Sequence, residues 1–192
     1  MSKFNMAPIS GKDLPRALRD AQQSDARTQC AMICWRPART GAKPVVKGKS
    51  RAKAKHNTKH RATPPAKPEI LLITSRGTGR WIVPKGWPIT GLSVAESAQQ
   101  EAWEEAGVTG RMNEQCLGLY SYTKYSEDGG ELPCVAMVYS MQVKTIAAEF
   151  PEAEERSRRW VGRKKAANLV DEPELAALLR NFDPKTLRKS RA

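Results

Sequence analysis

Hydrophobic and polar positions follow strand-like spacing in some parts of the chain and helix-like spacing in others. Short apolar runs predict buried strands at 30–35 and 69–75. Further strands are predicted at 80–83, 115–124, 132–144 and 157–161, and helices at 11–26, 93–106, 163–168 and 172–181. This order predicts a mixed α/β fold.

The tract at residues 37–68 breaks the pattern. It holds ten of the 33 lysines and arginines, five prolines and no acidic residue. Low hydrophobicity and like-charge repulsion predict a long basic disordered insertion between two strands. Two interpretations remain open: a solvated insertion without a role, or a nonspecific contact for nucleic acid or another polyanion through counterion release.

The chain length of 192 residues suits one domain with appendages. We expect an N-terminal extension at 1–28, a domain at 29–182 interrupted by 37–68, and a basic C-terminal tail at 183–192. The sequence shows no apolar run of about 20 residues and no secretory signal core, so a cytoplasmic protein without membrane contact is expected. The oligomeric state stays open.

Histidine and cysteine usage narrows the possible chemistry. Only two histidines occur, His56 and His60, and both lie in the basic tract. A Ser-His-Asp triad, a Cys-His pair or a histidine-ligated zinc site is therefore not expected in the folded part. The four cysteines form no CxxC motif and are predicted to be reduced and structural. Acid-base chemistry must come from carboxylates or lysines.

The helix at 93–106 has a clear start and end. Ser93 and Glu96 form a capping-box signature, and Gly107 is a typical helix stop. A stripe of small apolar residues is predicted to pack this helix closely on a sheet. The stripe consists of Val94, Ala95, Ala98 and Ala102.

Three glutamates lie on another face of the same helix. Glu101, Glu104 and Glu105 are spaced by three and four residues, so they are neighbours, and each like-charge pair costs roughly 0.2 to 0.5 kcal/mol. The helix dipole also disfavours negative charge in the last turn. The cluster is either a solvated acidic helix end or a site for Mg²⁺ or Mn²⁺, which prefer carboxylate oxygens and substrate phosphates.

Basic residues precede this helix in a glycine-rich segment. Arg76, Arg80 and Lys85 are positioned by sequence to bring positive charge near the carboxylates. Cations beside a carboxylate metal site suit a phosphate-rich substrate. As an alternative, Arg76 and Arg80 are ordinary surface charges beside a turn.

The segment 86–108 resembles the Nudix box, Gx5Ex7REUxEExGU, where U is a bulky aliphatic residue. The positions in register are Gly86, Glu101, Ala102, Glu104, Glu105, Gly107 and Val108, with Ala102 the weaker match. Two positions depart from the pattern: Leu92 replaces a glutamate, and Gln100 replaces an arginine. In the family that arginine orients the glutamates by ion pairing, so Gln100 would offer only a neutral hydrogen bond.

The resemblance implies a Nudix-type α/β/α sandwich with a mixed sheet. Similarity over about 29–36 and 69–182 looks like the diphosphoinositol polyphosphate phosphohydrolase branch, whose members also cleave dinucleoside polyphosphates. By position, the implied metal ligands are Glu101 and Glu105, with Gly86 and the Lys85 carbonyl approaching the metal or phosphate. Glu104 is the implied catalytic base, with the loop residues Glu152, Glu154 and Glu155 as alternatives. The implied substrate-binding residues are Thr74, Ser75, Arg76, Arg80 and Lys85.

The expected activity is hydrolysis of a phosphoanhydride bond with Mg²⁺ or Mn²⁺. The expected substrate is a phosphate-rich small molecule, either an inositol pyrophosphate or a dinucleoside polyphosphate. One alternative is an RNA 5′-end pyrophosphohydrolase that uses the basic tract as a tether. The other is a non-catalytic binding module for a nucleotide or polyphosphate, which the departures at Leu92 and Gln100 suggest.

Overall fold

The computed structural model describes residues 26–38, 67–125 and 130–187. Within these residues, one mixed sheet is flanked by helices. The strands are β1 (Arg27–Pro37), β2 (Pro68–Thr74), β3 (Trp81–Ile82), β4 (Lys85–Gly86), β5 (Val108–Tyr125), β6 (Glu131–Ile146) and β7 (Arg158–Gly162). The helices are α1 (Val94–Ala106), α2 (Arg163–Ala167) and α3 (Pro173–Asn181).

The sheet has the strand order β3-β2-β1-β6-β5, with β4 also paired to β1 and β7 also paired to β2. Strand β1 runs parallel to β6 and antiparallel to β2 and β4. Because β1 lies in the centre of this order, both its edges are hydrogen-bonded. This central position fixes β4, and with it the start of the box, beside the middle of β1.

The core lies on both faces of the sheet, because successive side chains of a strand point to opposite faces. Cys30, Met32 and Cys34 of β1 pack in one cluster with the alanines of α1. The alternate residues Ala31 and Ile33 pack with α2 and α3 on the other face. Helices therefore cover both sides of the sheet, and the prediction of an α/β/α sandwich with a mixed sheet is confirmed.

Helix α1 has the predicted start and end. Ser93 is the N-cap, and its hydroxyl and the Glu96 carboxylate form the reciprocal capping box. Gly107 ends the helix in the left-handed region at φ 62°, where a side chain would be strained. The alanines of the predicted stripe, together with Ala106, are buried.

Strand β5 begins earlier than predicted, at Val108 instead of near 115. The left-handed turn at Gly107 reverses the chain at once, and Val108 pairs with Ile146 of β6. The polar residues that follow resemble a loop in sequence because the ladder is irregular there, with a register shift between Asn113 and Gly118. Strand β3 lies within the predicted strand at 80–83 but is shorter, and β4 is a further short strand that the sequence pattern did not predict.

The ends of the basic tract belong to the sheet. Pro37 pairs with Pro68, and the Ala38 N–H donates to the Lys67 carbonyl at 2.9 Å. Strand pairing uses backbone groups, so side-chain composition did not reveal it. The remainder of the insertion, 39–66, lies outside the described residues, as do residues 11–25 of the predicted helix at 11–26.

Residues at the two predicted domain boundaries also have defined places. Strand β1 starts at Arg27, two positions before the predicted domain start. At the other end, Leu187 packs against the core although it was assigned to the tail. In the described part of the chain, no helix is long and apolar enough to cross a membrane. All four cysteines are free thiols, and Cys116 is the exposed one.

Candidate active site

Strand β4 places Gly86 directly against the carboxylate of Glu101. Gly86 pairs with Cys30 of β1, and the Pro84 carbonyl accepts from the Met32 N–H at 2.9 Å, so the backbone here is fixed. A Cβ atom at position 86 would lie 1.9 Å from Oε1 of Glu101. Only glycine therefore lets this carboxylate lie against the β4 backbone.

The Glu101 carboxylate has no directly bonded side-chain partner in the described part of the chain. Among the described residues, no side chain hydrogen-bonds or ion-pairs with it. Burial, together with the neighbouring carboxylates of Glu105, Glu104 and Glu152, raises the pKa of Glu101 to about 7, and the positive charge of Lys85 opposes this shift. A divalent cation at this position would stabilise the charged form of the carboxylate and so lower the pKa of Glu101.

Glu105 is buried, with 8% of its side chain exposed. Its Oε1 atom is ion-paired with the Arg156 guanidinium, and its Oε2 atom accepts from the Lys85 N–H at 2.8 Å. Burial raises the pKa of Glu105, while Arg156 and the Lys85 N–H oppose that shift. The carboxylate is thus fixed between the loop that carries Arg156 and the start of β4.

The Arg156 guanidinium joins three parts of the chain. Besides Glu105 of α1, it donates from Nε to Glu152 at 2.6 Å and from Nη1 to the Thr74 carbonyl at 3.0 Å. Its side chain is 4% exposed. The loop between β6 and β7 is therefore bound to both α1 and the end of β2, and it brings Glu152 into the carboxylate cluster.

Glu104 lies at the edge of this cluster. Its Oε1 atom accepts from the Gln100 side-chain amide at 2.7 Å, and its backbone carbonyl accepts from the Glu152 N–H at 3.1 Å. Gln100 thus makes the neutral hydrogen bond expected at a position where the family pattern has arginine. Leu92, the second departure, is 44% exposed and lies in the turn before α1.

The carboxylates have the chemistry of a site for a hard divalent cation. Within the described residues, no group of three or more histidine, cysteine or acidic side chains is already arranged around a single point. The donor set still fits a cation, because Glu101 has no ion-paired side chain among the described residues, three further carboxylates lie near it, and Gly86 leaves room beside it.

The predicted substrate-binding cations are placed differently from one another. Lys85 lies beside the cluster, with its Nζ atom 4.7 Å from the centre of the Tyr122 ring, and burial lowers the pKa of this lysine. Arg76 is exposed and lies 3.5 Å from Glu152. Arg80 turns away towards α3, where it donates to Glu172 at 2.7 Å.

Thr74 and Ser75 are used by the protein itself. The Thr74 hydroxyl accepts from the Ser157 N–H at 3.0 Å, and the Ser75 hydroxyl shares a hydrogen bond with Thr78 at 2.7 Å. Of the alternative bases, Glu155 reaches Arg76 at 3.6 Å. Among the described residues, no hydrogen bond or ion pair connects Glu154 to the cluster.

The acidic end of α1 is partly neutralised by residues from outside the helix. Arg158 of β7 donates to the carbonyl of Ala106 at 2.9 Å, and also to the Ala147 carbonyl at 2.9 Å. A cation at a helix C-terminus is favourable. The sequence showed no lysine or arginine in the helix to offset its glutamates, and the structure supplies Arg156 and Arg158 from a distant segment instead.

Two functional neighbours of the site were not found from sequence. Glu172 is buried and neutralises Arg80, and Tyr122 lies under Lys85 and donates its hydroxyl to Gln29. A glutamate directly before Pro173 at a helix start was the available signal for the first. Tyr122 was available only as one tyrosine within a strand, which carries no specific signal.

Comparison with known proteins agrees with the sequence and the geometry. Residues 62–182 match the NUDIX domain model. From Arabidopsis thaliana, the chain is similar to "Nudix hydrolase 13, mitochondrial" (32% identical over 121 residues, 59% of each chain). It is also similar to "Nudix hydrolase 21, chloroplastic" (34% over 120 residues, 59% of this chain and 56% of the relative). The chain therefore covers less than two thirds of the length of these relatives.

Solved structures resemble the chain more weakly. A C. elegans Ap4A hydrolase has a TM-score of 0.48 at 17% identity, covering 81% of this chain and 94% of its own. The NUDIX domain of Shewanella oneidensis NrtR has a TM-score of 0.49 at 13% identity, covering 87% and 97%. Likeness at this level carries no information about the substrate. The family-model match spans more than half of the chain and contains the glycine and three glutamates of the site, and the chain therefore belongs to the Nudix family.

Proposed function

We propose that the chain is a divalent-cation-dependent hydrolase of a phosphoanhydride bond in a phosphate-rich small molecule. The observation that carries this proposal is the Glu101 carboxylate, which lies against Gly86 near three other carboxylates and has no ion-paired side chain among the described residues. Nudix hydrolases in general use divalent cations such as Mg²⁺. Bound here, Mg²⁺ or Mn²⁺ would polarise the phosphates of the substrate.

Separate residues are proposed to bind the cation and the phosphates of the substrate. Glu101 and Glu105 would hold the cation, with Gly86 and the Lys85 backbone beside it. Lys85, at the edge of the cluster, would neutralise charge on a phosphate, and its lowered pKa reflects the burial that makes such a contact strong. Arg76, exposed beside the cluster, is the second candidate for a phosphate contact.

Glu104 is the proposed proton acceptor for the attacking water. Its carboxylate is oriented by Gln100 and lies one helical turn from Glu101. Glu152, the alternative base, already accepts from Arg156 and lies near Arg76. Because these two cations already contact Glu152, its carboxylate is less available to a water than that of Glu104, which accepts from a neutral amide.

The two substrate classes that we propose are inositol pyrophosphates and dinucleoside polyphosphates. The test is product release from a panel of both classes together with 5′-triphosphate RNA, in Mg²⁺ and in Mn²⁺, with Glu101→Gln as the control. Metal-dependent turnover of one class, abolished in the variant, is the expected result. Binding without turnover on every member would favour a non-catalytic module.

The RNA alternative depends on the basic tract. A deletion of 39–66 that joins Ala38 to Lys67 through a two-residue turn would keep the hairpin ends, which already pair with each other. A pyrophosphohydrolase that uses the tract as a tether would lose activity on long RNA and keep it on short substrates. Equal activity on both lengths would exclude the tether.

A further inference from the structure

The loop between β6 and β7 carries a buried arginine whose guanidinium is occupied by carboxylates and a carbonyl of the chain itself. Arg156 contacts Glu105, Glu152 and the Thr74 carbonyl, and only 4% of its side chain is exposed. A planar guanidinium that binds two carboxylates and a carbonyl is held in one orientation. Its burial leaves little surface for a substrate phosphate.

The same arginine determines where the Glu105 carboxylate points. Arg156 holds Oε1, so that Oε2 is directed at the Lys85 N–H, which donates at 2.8 Å. Without Arg156, Glu105 would be a buried carboxylate with one backbone donor and other carboxylates nearby. A buried carboxylate that loses its charged partner turns towards solvent or another donor, so Oε2 would no longer be held at the Lys85 N–H.

Helix α1 itself contains no cation that could orient Glu105 in this way. Position 100 is Gln100, which donates a neutral hydrogen bond to Glu104, and no basic residue lies in the last turn of the helix. A neutral amide is about half as effective as a charged donor towards a carboxylate. The cation that orients the glutamates therefore comes from a segment 51 residues away in sequence.

We propose that Arg156 is a positioning residue that holds Glu105 ready for cation binding and takes the place of a cation at position 100 of α1. The inference rests on the proposed function, because it assumes that Glu105 binds the cation. It distinguishes Arg156 from Lys85 and Arg76, which are placed to contact substrate. Arg156 acts through Glu105 and not on the phosphates.

The test compares Arg156→Gln and Arg156→Lys with the wild-type chain. Arg159→Gln is the matched control, because it removes the same charge from an exposed residue of the same segment. Mn²⁺ affinity is measured by calorimetry without substrate, and exchange of the Lys85 amide proton is followed by NMR without metal. Loss of a residue that orients a metal ligand typically weakens metal affinity by about 10 to 100-fold.

We expect Arg156→Gln to weaken Mn²⁺ binding by at least about tenfold and to speed exchange of the Lys85 amide. Arg156→Lys keeps the charge but loses the planar fork, so it should fall between Arg156→Gln and the wild type, while Arg159→Gln should match the wild type. Should Arg156→Gln fail to fold, the lysine variant carries the same comparison. When turnover is measured, both Arg156 variants should have a KM similar to that of the wild type and a lower kcat.

Two results would overturn the inference and leave the proposed function standing. The first is an active wild-type chain whose two Arg156 variants both bind Mn²⁺ with an affinity within twofold of the wild type. The second is a raised KM with unchanged metal affinity, which would make Arg156 a substrate contact. Wild-type chain that binds no Mn²⁺ would overturn the inference and the proposed function together.

Discussion

At the scale of single residues, the two metal-ligand candidates differ in their surroundings. Glu105 is paired with a buried arginine, whereas among the described residues no side chain is hydrogen-bonded or ion-paired with Glu101. Removing charge from a buried pair leaves the partner unpaired, which is costly. Removing charge from Glu101 takes away repulsion and leaves no partner behind.

We therefore expect Glu105→Gln to lose stability as well as activity. Arg156 would stay buried with Glu152 as its one remaining carboxylate partner, so the free energy of unfolding should fall by roughly 1.5 to 3 kcal/mol, the contribution of a charged hydrogen bond. Urea unfolding of the metal-free protein measures this. A change below about 0.5 kcal/mol would show that the Glu105 and Arg156 pair is exposed in solution.

Gly86→Ala tests the close approach of β4 to α1. The new Cβ atom would overlap the Glu101 carboxylate, whose nearest oxygen would be 1.9 Å away. We expect the flexible Glu101 side chain to move and the fold to survive, with metal affinity reduced by about tenfold or more. Mn²⁺ titration with circular dichroism as the fold control measures both effects, and unchanged affinity would place Glu101 away from the cation.

At the scale of elements, α1 could be predicted almost completely and its surroundings could not. Its cap, its stop and its buried alanines are local properties of sequence. The contacts of Arg156 and Arg158 with α1 depend on how β7 pairs with β2, which no local pattern encodes. The same holds for Glu172, whose role depends on the path of Arg80.

The capping box gives a prediction that separates stability from activity. Ser93→Ala removes the side-chain acceptor for the Glu96 N–H at the exposed start of α1. The free energy of unfolding should fall by about 1 kcal/mol. Because the carboxylates lie two turns further along the helix, kcat should stay within twofold, as steady-state kinetics on the preferred substrate will show. A large loss of kcat would mean that the helix start belongs to the site.

At the scale of the whole molecule, the carboxylates make stability depend on both pH and metal. The fold raises the pKa of Glu101 to about 7, above its ordinary value, so the fold favours the protonated form. The stability that this protonation gives is fully present below the ordinary carboxyl range and is lost as pH rises through 7. A cation that binds the charged form should restore it.

We expect the melting temperature of the metal-free protein to fall between pH 6 and 8 relative to Glu101→Gln. Added Mg²⁺ should raise the melting temperature of the wild type more at pH 8 than at pH 6, because protons compete with the cation for Glu101. Scanning fluorimetry with EDTA or Mg²⁺ measures this. An equal Mg²⁺ effect at both values of pH, or an equal effect in the variant, would contradict it.

Sequence alone predicted the sandwich, the box helix and the positions of the three glutamates. It missed the early start of β5, because the polar residues of its irregular ladder resemble a loop. It missed the paired ends of the basic tract, because backbone pairing leaves no trace in side-chain charge. Whether Arg80 faces the carboxylates or Glu172 is likewise decided by tertiary contacts.

The proposed cation site depends most directly on Glu101, and one pair of measurements on Glu101→Gln tests it. We predict that kcat with Mg²⁺ falls by about 10³-fold or more, equivalent to roughly 4 kcal/mol, while the melting temperature in EDTA at pH 8 is equal to or above that of the wild type. Activity within a few-fold of wild type, in a variant that is folded, would contradict the assignment of this carboxylate cluster as the catalytic cation site.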